Sequence, residues 1–325
     1  MSTPEPTDDT GADPSADTAT LATDTAAEPA GRTAGDAAAG DTAEAEDTAE
    51  AGDTAEDTAA ASTGGADRSA FLPSPLFVLL LGVTALAGYF SWTRAEVDWT
   101  GDASTVYLPF VFILGGWIIS LAVHEYAHAL VAYLYGDRSL RGSAYLRLNP
   151  FRYRHLFAGL LMPVVFLLLG PLGLTGPALQ VDRSAVPSRL ERTVIALSGI
   201  IASLLLAVGF AAAVWLLVPS HMVTDNWMIG GLMFLCYLNA TAALVNLLPV
   251  PGTDGFDAIA PYLPEPIARQ GRDAGLFGVI AIFAVLWFPP VNAAFINFMF
   301  GLFDLVGMPQ LDIGFGELLV QFWVS

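Results

Sequence analysis

The chain has 325 residues, 54% of them hydrophobic, a net charge of −19 and one cysteine, Cys236. One cysteine excludes an intrachain disulfide and reads as a small buried hydrophobe. Of the 32 acids, 17 lie in the first 70 residues beside two of the 13 basic residues, which puts −15 in that stretch and −4 in the rest. The acidity therefore belongs to one segment, and nothing in the balance points to a nucleic-acid partner.

Residues 1–70 are Ala, Thr, Asp, Glu and Gly, with Asp-Thr-Ala-Glu recurring at Asp41, Asp47 and Asp53. Such a segment cannot bury enough apolar surface to offset chain entropy, and it reads as a disordered, solvated tail. It lacks the basic start and leading apolar core of a signal peptide.

From Phe71 to Ser325 the pattern is that of an all-α polytopic membrane protein, with about five to six transmembrane helices. Leu76–Trp92 is the first apolar run, followed by a polar loop to Tyr107. The run Leu108–Tyr135 is ~42 Å long as a helix, enough to span with tilt. It contains His124-Glu125-Tyr126-Ala127-His128. Histidines at i and i+4 share one helix face and can reach a single zinc ion, with Glu125 between them as a base for water. Ionisable residues in a lipid-length run are costly, which makes them functional candidates.

The following loop carries Arg138, Arg141, Arg147, Arg152 and Arg154, and the positive-inside rule places it in the cytoplasm. The tail is then cytoplasmic, and the two histidines lie ~10–16 Å from the cytoplasmic end of their helix. Ser143–Asn149 alternates apolar and polar residues, which predicts a short cytoplasmic β-hairpin. Leu156–Gly170 is short for a span and contains Pro163, which predicts a re-entrant segment. Thr193–Val218 and Trp227–Leu248 read as spans. Ala274–Phe288 and Val291–Val306 flank Pro289-Pro290, and the final residues, with Phe315, Leu318, Leu319, Phe322 and Trp323, read as interfacial. His155, His221 and Asp304 are weaker candidates, read as loop, outer-loop and interfacial groups.

Two histidines leave a catalytic zinc one protein ligand short. The best candidate is Asp254, in Asn246-Leu-Leu-Pro-Val-Pro-Gly-Thr-Asp-Gly255. Its prolines and glycines break the helix after an apolar span, and unwound backbone at membrane depth must be buried or line a wet cavity. For Asp254 to reach the depth of His124 and His128, the chain must cross twice between Tyr135 and Leu248. That count requires Leu156–Gly170 not to span, and it leaves Arg183, Arg189, Arg192, Arg269 and Arg272 inside.

The pair of motifs resembles the site-2 protease family of intramembrane zinc metalloproteases, over roughly residues 108–263. The absence of an inserted PDZ or CBS domain is similar to its compact prokaryotic branch. The resemblance implies one Zn2+ held by His124, His128 and Asp254, Glu125 as catalytic base, and a transmembrane protein as substrate. It also implies strand addition of an extended substrate to the Ser143–Asn149 stretch. Asn246 is a candidate for substrate positioning or oxyanion binding, or else a packing residue at the broken helix. Two departures stand out. The family's Gly-Pro-x-x-Asn corresponds to Gly199-Ile-Ile-Ala-Ser203, and Thr253 replaces a common Leu. The expected function is a zinc-dependent intramembrane endopeptidase in a prokaryotic cell membrane, its site toward the cytoplasm. Membrane lipids are the other expected partners. A membrane zinc transporter or sensor, and an inactive scaffold, are the alternatives. A transporter would string carboxylates and histidines across the bilayer, whereas this chain gathers them at one depth.

Overall fold

The computed structural model describes residues 68–94, 107–170, 172–175, 182, 184–218 and 224–321. Almost all of the acidic tail, the loop before the motif helix, Arg183 and His221 lie outside them.

Among the described residues the fold is all-helical. Helices α1 (Pro75–Arg94), α2 (Tyr107–Leu134), α4 (Arg189–Leu217) and α5 (Trp227–Asn246) are long and apolar enough to cross a membrane. Such runs form helices because a segment in lipid must satisfy its own backbone groups. The short α3 (Met162–Leu169) follows a π-helical turn at Phe157–Leu161. After α5 come α6 (Asp254–Ile259), α7 (Glu265–Asp273), α8 (Gly275–Trp287), α9 (Pro289–Leu305) and α10 (Gln310–Val320). Counting α7 and α8 as one span bent by 64° raises the number of spans from four to five. Five meets the lower end of the expected five to six; α9, with 17 residues, is short for a span of its own.

Burial separates the spans by role. In α5, 78% of the spanning window is buried, against 28% in α1 and α4 and 56% in α2. So α5 is the central post, with α2, α4 and α10 packed against it. Helices α1 and α4 turn large apolar side chains outward, among them Leu79, Leu86, Leu205 and Leu216, as lipid-facing helices do.

The expected β-hairpin is not formed: no strand occurs among the described residues. Ser143–Asn149 is a run of turns, closed by Arg147 N–H donating to the Ser143 carbonyl (3.1 Å) and Asn149 N–H donating to the Ala144 carbonyl (2.8 Å). The adjacent Tyr145 and Leu146 are both buried, which a pleated strand with one covered face does not allow. Leu148, with φ of 50°, also breaks the extended path. The loop instead clamps onto the second half of α2, where Leu140, Tyr145, Leu146 and Tyr153 pack with Ala129 and Ala132.

Of the C-terminal residues, Leu318 is exposed, and Phe322 and Trp323 lie outside the described residues. Helix α10 docks on α5 with Phe315 and Leu319 against Gly230. A Cβ on Gly316 would stand 2.4 Å from the Gly230 carbonyl oxygen, so this close crossing requires glycine. Pro289 and Pro290 start α9 rather than interrupting one span, in the first-turn position that proline favours.

Candidate metal centre

Three elements build the centre. Helix α2 supplies His124 and His128, 2% and 6% exposed, one turn apart on one face. The segment after α5 supplies Asp254. Gly252, with φ of +92°, turns the chain, and a Cβ there would meet the Gly275 carbonyl oxygen at 2.0 Å. Thr253 then caps α6: its Oγ1 accepts from Phe256 N–H (3.5 Å) and donates toward the Val250 carbonyl (2.8 Å). Asp254 is the first residue of α6, where the helix end favours an anion.

His124 Nε2 lies 3.2 Å from Asp254 Oδ2, and His128 Nε2 lies 3.2 Å from Oδ1. The two Nε2 atoms are 3.1 Å apart. The third wall, α4, fixes the imidazoles. His128 Nδ1 is 2.8 Å from the Ile195 carbonyl oxygen, an acceptor only, so Nδ1 carries the proton. Its Nε2 lone pair must then face the centre. His124 Nδ1 is 3.0 Å from Ser203 Oγ, which can accept in the same way. Three electron-pair donors thus point at one another, an arrangement that calls for a cation between them. In a tetrahedral zinc site with bonds of about 2.0 Å, ligand atoms are about 3.3 Å apart, close to the spacing here. The donor set therefore fits zinc, and no sulfur is needed: Cys236 is buried elsewhere, its Sγ 3.2 Å from the Ala207 carbonyl.

Gly199 lets α4 come this close. A Cβ there would stand 2.2 Å from His128 Nε2 and 2.8 Å from His124 Cε1. Ile195, Gly199 and Ser203 recur every four residues, one stripe of α4 turned to the histidines. The glycine and the missing proline and asparagine are visible in the sequence, but the hold of Ser203 on a histidine is not.

Glu125 is buried beside the ligands, 5% exposed. Its charge reaches the loop above it: burial, and then Glu125, push the Tyr145 phenol up to about 12 and the Tyr153 phenol well above its usual value. Asn246 is also buried, and its Nδ2 donates to Thr175 Oγ1 (2.5 Å), tying the end of α5 to residues 172–175. His155 is exposed, and Asp304 accepts from Gln310 Nε2 (2.8 Å), so neither joins the centre. Asp137 ties the motif loop to the segment before α4, accepting from Ser139 Oγ (2.5 Å) and from Asp182 N–H (2.9 Å).

Comparison with known proteins agrees with this geometry. The chain is 35% identical over 257 residues to "Putative zinc metalloprotease Rip2" of Mycobacterium tuberculosis, covering 79% of this chain and 96% of that protein. It is 34% identical over 259 residues to the protein of the same name from Mycolicibacterium smegmatis, with the same coverage. It is 29% identical over 180 residues to "Putative zinc metalloprotease YwhC" of Bacillus subtilis, covering 54% of this chain and 80% of that one. No family model and no solved structure matches the chain. With two motifs that meet in space and relatives matched along nearly their whole length, the chain belongs to the site-2 protease family of zinc metalloproteases, an integral membrane protein whose cofactor is zinc.

Proposed function

We propose that the chain is an intramembrane endopeptidase that hydrolyses peptide bonds in or near the transmembrane helices of other membrane proteins. The observation that carries this reading is the convergence of His124 and His128, on a helix long enough to span the bilayer, with Asp254 at the start of α6, Glu125 being buried beside them. His124, His128 and Asp254 are the zinc ligands. Bound there, zinc supplies Lewis acidity toward water and the scissile carbonyl.

Glu125 is the general base. It takes a proton from the attacking water as the water oxygen bonds to the carbonyl carbon. It returns that proton to the amide nitrogen as the C–N bond breaks, which leaves a carboxyl end and an amine end. Helical hydrogen bonding shields a substrate's carbonyls, so segments weakened by proline or glycine near the cut should be favoured. Asn246 acts as a positioning residue through Thr175, tying residues 172–175 to the end of α5 that leads to Asp254.

The arginine-rich loops lie on the cytoplasmic side against anionic lipid, which directs the tail and the site to that side. Leu156–Gly170 is read as re-entrant from the same side, since its helix, Phe157–Leu169, is short for a span. Between α2 and Asp254, only α4 and α5 are long and apolar enough to span among the described residues, in keeping with two crossings. A transporter reading gains no support, since among the described residues no second group of three metal-binding side chains occurs.

The test is cleavage in liposomes of a panel of single-span reporters, with products mapped by mass spectrometry. Wild type is expected to cut within or beside the span of at least one reporter, and Glu125→Gln to cut none while retaining zinc. Equal cleavage by both proteins would overturn the assignment of Glu125.

A further inference from the structure

We propose that the phenol of Tyr153 is the hydrogen-bond donor that meets the carbonyl oxygen of the peptide bond being cleaved. This rests on the protease reading above. Tyr153 is 4% exposed, and its hydroxyl has no hydrogen-bond partner among the described residues. A buried hydroxyl without an acceptor is destabilising, which phenylalanine at the same place would avoid. The open donor is satisfied where an acceptor arrives from outside the free protein.

The ring is well placed for that acceptor to be substrate. It packs in the cluster formed by Ala129 and Ala132 of α2 and Ile195 of α4. Ala129 follows His128 in the chain, and Ile195 is the residue whose carbonyl holds His128 Nδ1. The ring is fixed by stacking on Tyr145, with centroids 4.5 Å apart and planes 13° apart. The two phenols of the stack differ. Tyr145 is engaged with the Arg154 backbone N–H, whereas Tyr153 has no such contact. The high phenol pKa keeps Tyr153 protonated at neutral pH, so its O–H is available to donate.

The reaction needs such a group. As water adds to the carbonyl carbon, negative charge gathers on the carbonyl oxygen, and a fixed donor there stabilises the transition state more than the ground state. Glu125 is committed to the proton in transit. Asn246 already donates to Thr175, and His155 is exposed. Among the side chains of that packed cluster, Tyr153 carries the buried donor left open.

The experiment uses the full chain in detergent, a transmembrane reporter that wild type cleaves, and Tyr153→Phe, which removes the hydroxyl and keeps the stacked ring. We expect kcat to fall about 100-fold, with KM, helix content and zinc per chain unchanged. The affinity for uncleaved reporter, compared in Glu125→Gln with and without Tyr153→Phe, should agree within about twofold, because the bond strengthens mainly in the transition state. A kcat within about threefold of wild type would overturn the proposal. Loss of zinc or of helix content in Tyr153→Phe would also overturn it, making the phenol a structural support. If wild type itself cuts no reporter, the protease reading fails first, a result distinct from either.

Discussion

At the scale of single residues, the centre depends as much on α4 as on the ligands. Ser203 and the Ile195 carbonyl hold the outer nitrogens of the two imidazoles, which fixes both tautomer and ring direction. Groups in that position typically change metal affinity 10–100-fold when removed. Ser203→Ala is therefore expected to weaken zinc binding by about 10-fold, read by competition with a chelator. Gly199→Ala is expected to be more severe. Its methyl carbon would stand 2.2 Å from His128 Nε2, and zinc per chain should fall well below one. Glu125→Gln should do the opposite, keeping zinc while lowering kcat by about 1,000-fold, within the range of general-base catalysis. The three ligands were legible in the sequence because zinc restricts the residue types that can bind it, and two motifs supplied them. The second layer was not. A backbone carbonyl has no residue identity, and a serine in an apolar helix reads as a small packing residue until its partner is seen.

At the scale of elements, the decisive piece is the broken segment between α5 and α6. Pro249 and Pro251 lack N–H groups, Gly252 takes a positive φ, and Thr253 caps the six-residue helix that begins with Asp254. Thr253→Val keeps the shape and removes the cap. It is expected to cost about 1 kcal/mol of stability and to speed zinc loss, because Asp254 is the next residue. Thermal unfolding and the rate of zinc transfer to a chelator check the two effects. If zinc transfer is unchanged while stability falls, the cap supports α6 without aiming the ligand. The same comparison of scales explains the missing hairpin. The alternation in Ser143–Asn149 is real as a list of residue types, but period alone does not say what covers the segment. Here the second half of α2 offers an apolar surface, and the loop folds into turns that bury Tyr145 and Leu146 together. Turn bonds within the loop replace the ladder a strand would have needed.

At the scale of the whole molecule, α5 joins two regions with separate duties. Its C-terminal end leads to the centre, while its N-terminal half receives α10 at Gly230. Gly230 and Asn246 are 16 residues apart, or ~24 Å along the helix. Gly316→Leu should therefore undock α10 and lower the thermal stability of the detergent-solubilised protein while leaving zinc per chain near one. Loss of zinc in that variant would show that the two ends of α5 are coupled. The spans and their order were readable from apolar runs, since lipid leaves helices as the simple solution for each. Which helix sits at the centre was not readable from apolarity alone, because α1, α2 and α5 have nearly the same mean hydropathy, 1.7 to 1.8, and differ in what packs against them. Nor was the role of the C-terminal helix, which rests on the fit of two glycines.

The central claim is that one zinc is held by His124, His128 and Asp254, and X-ray absorption at the zinc edge of the purified protein tests it most directly. The account predicts about one zinc per chain with a shell of nitrogen and oxygen at about 2.0–2.2 Å, an imidazole pattern from two histidines and no sulfur. Asp254→Ala should remove one light ligand from that shell or lose the metal. A zinc–sulfur distance near 2.3 Å, or a shell identical in wild type and Asp254→Ala, would contradict it.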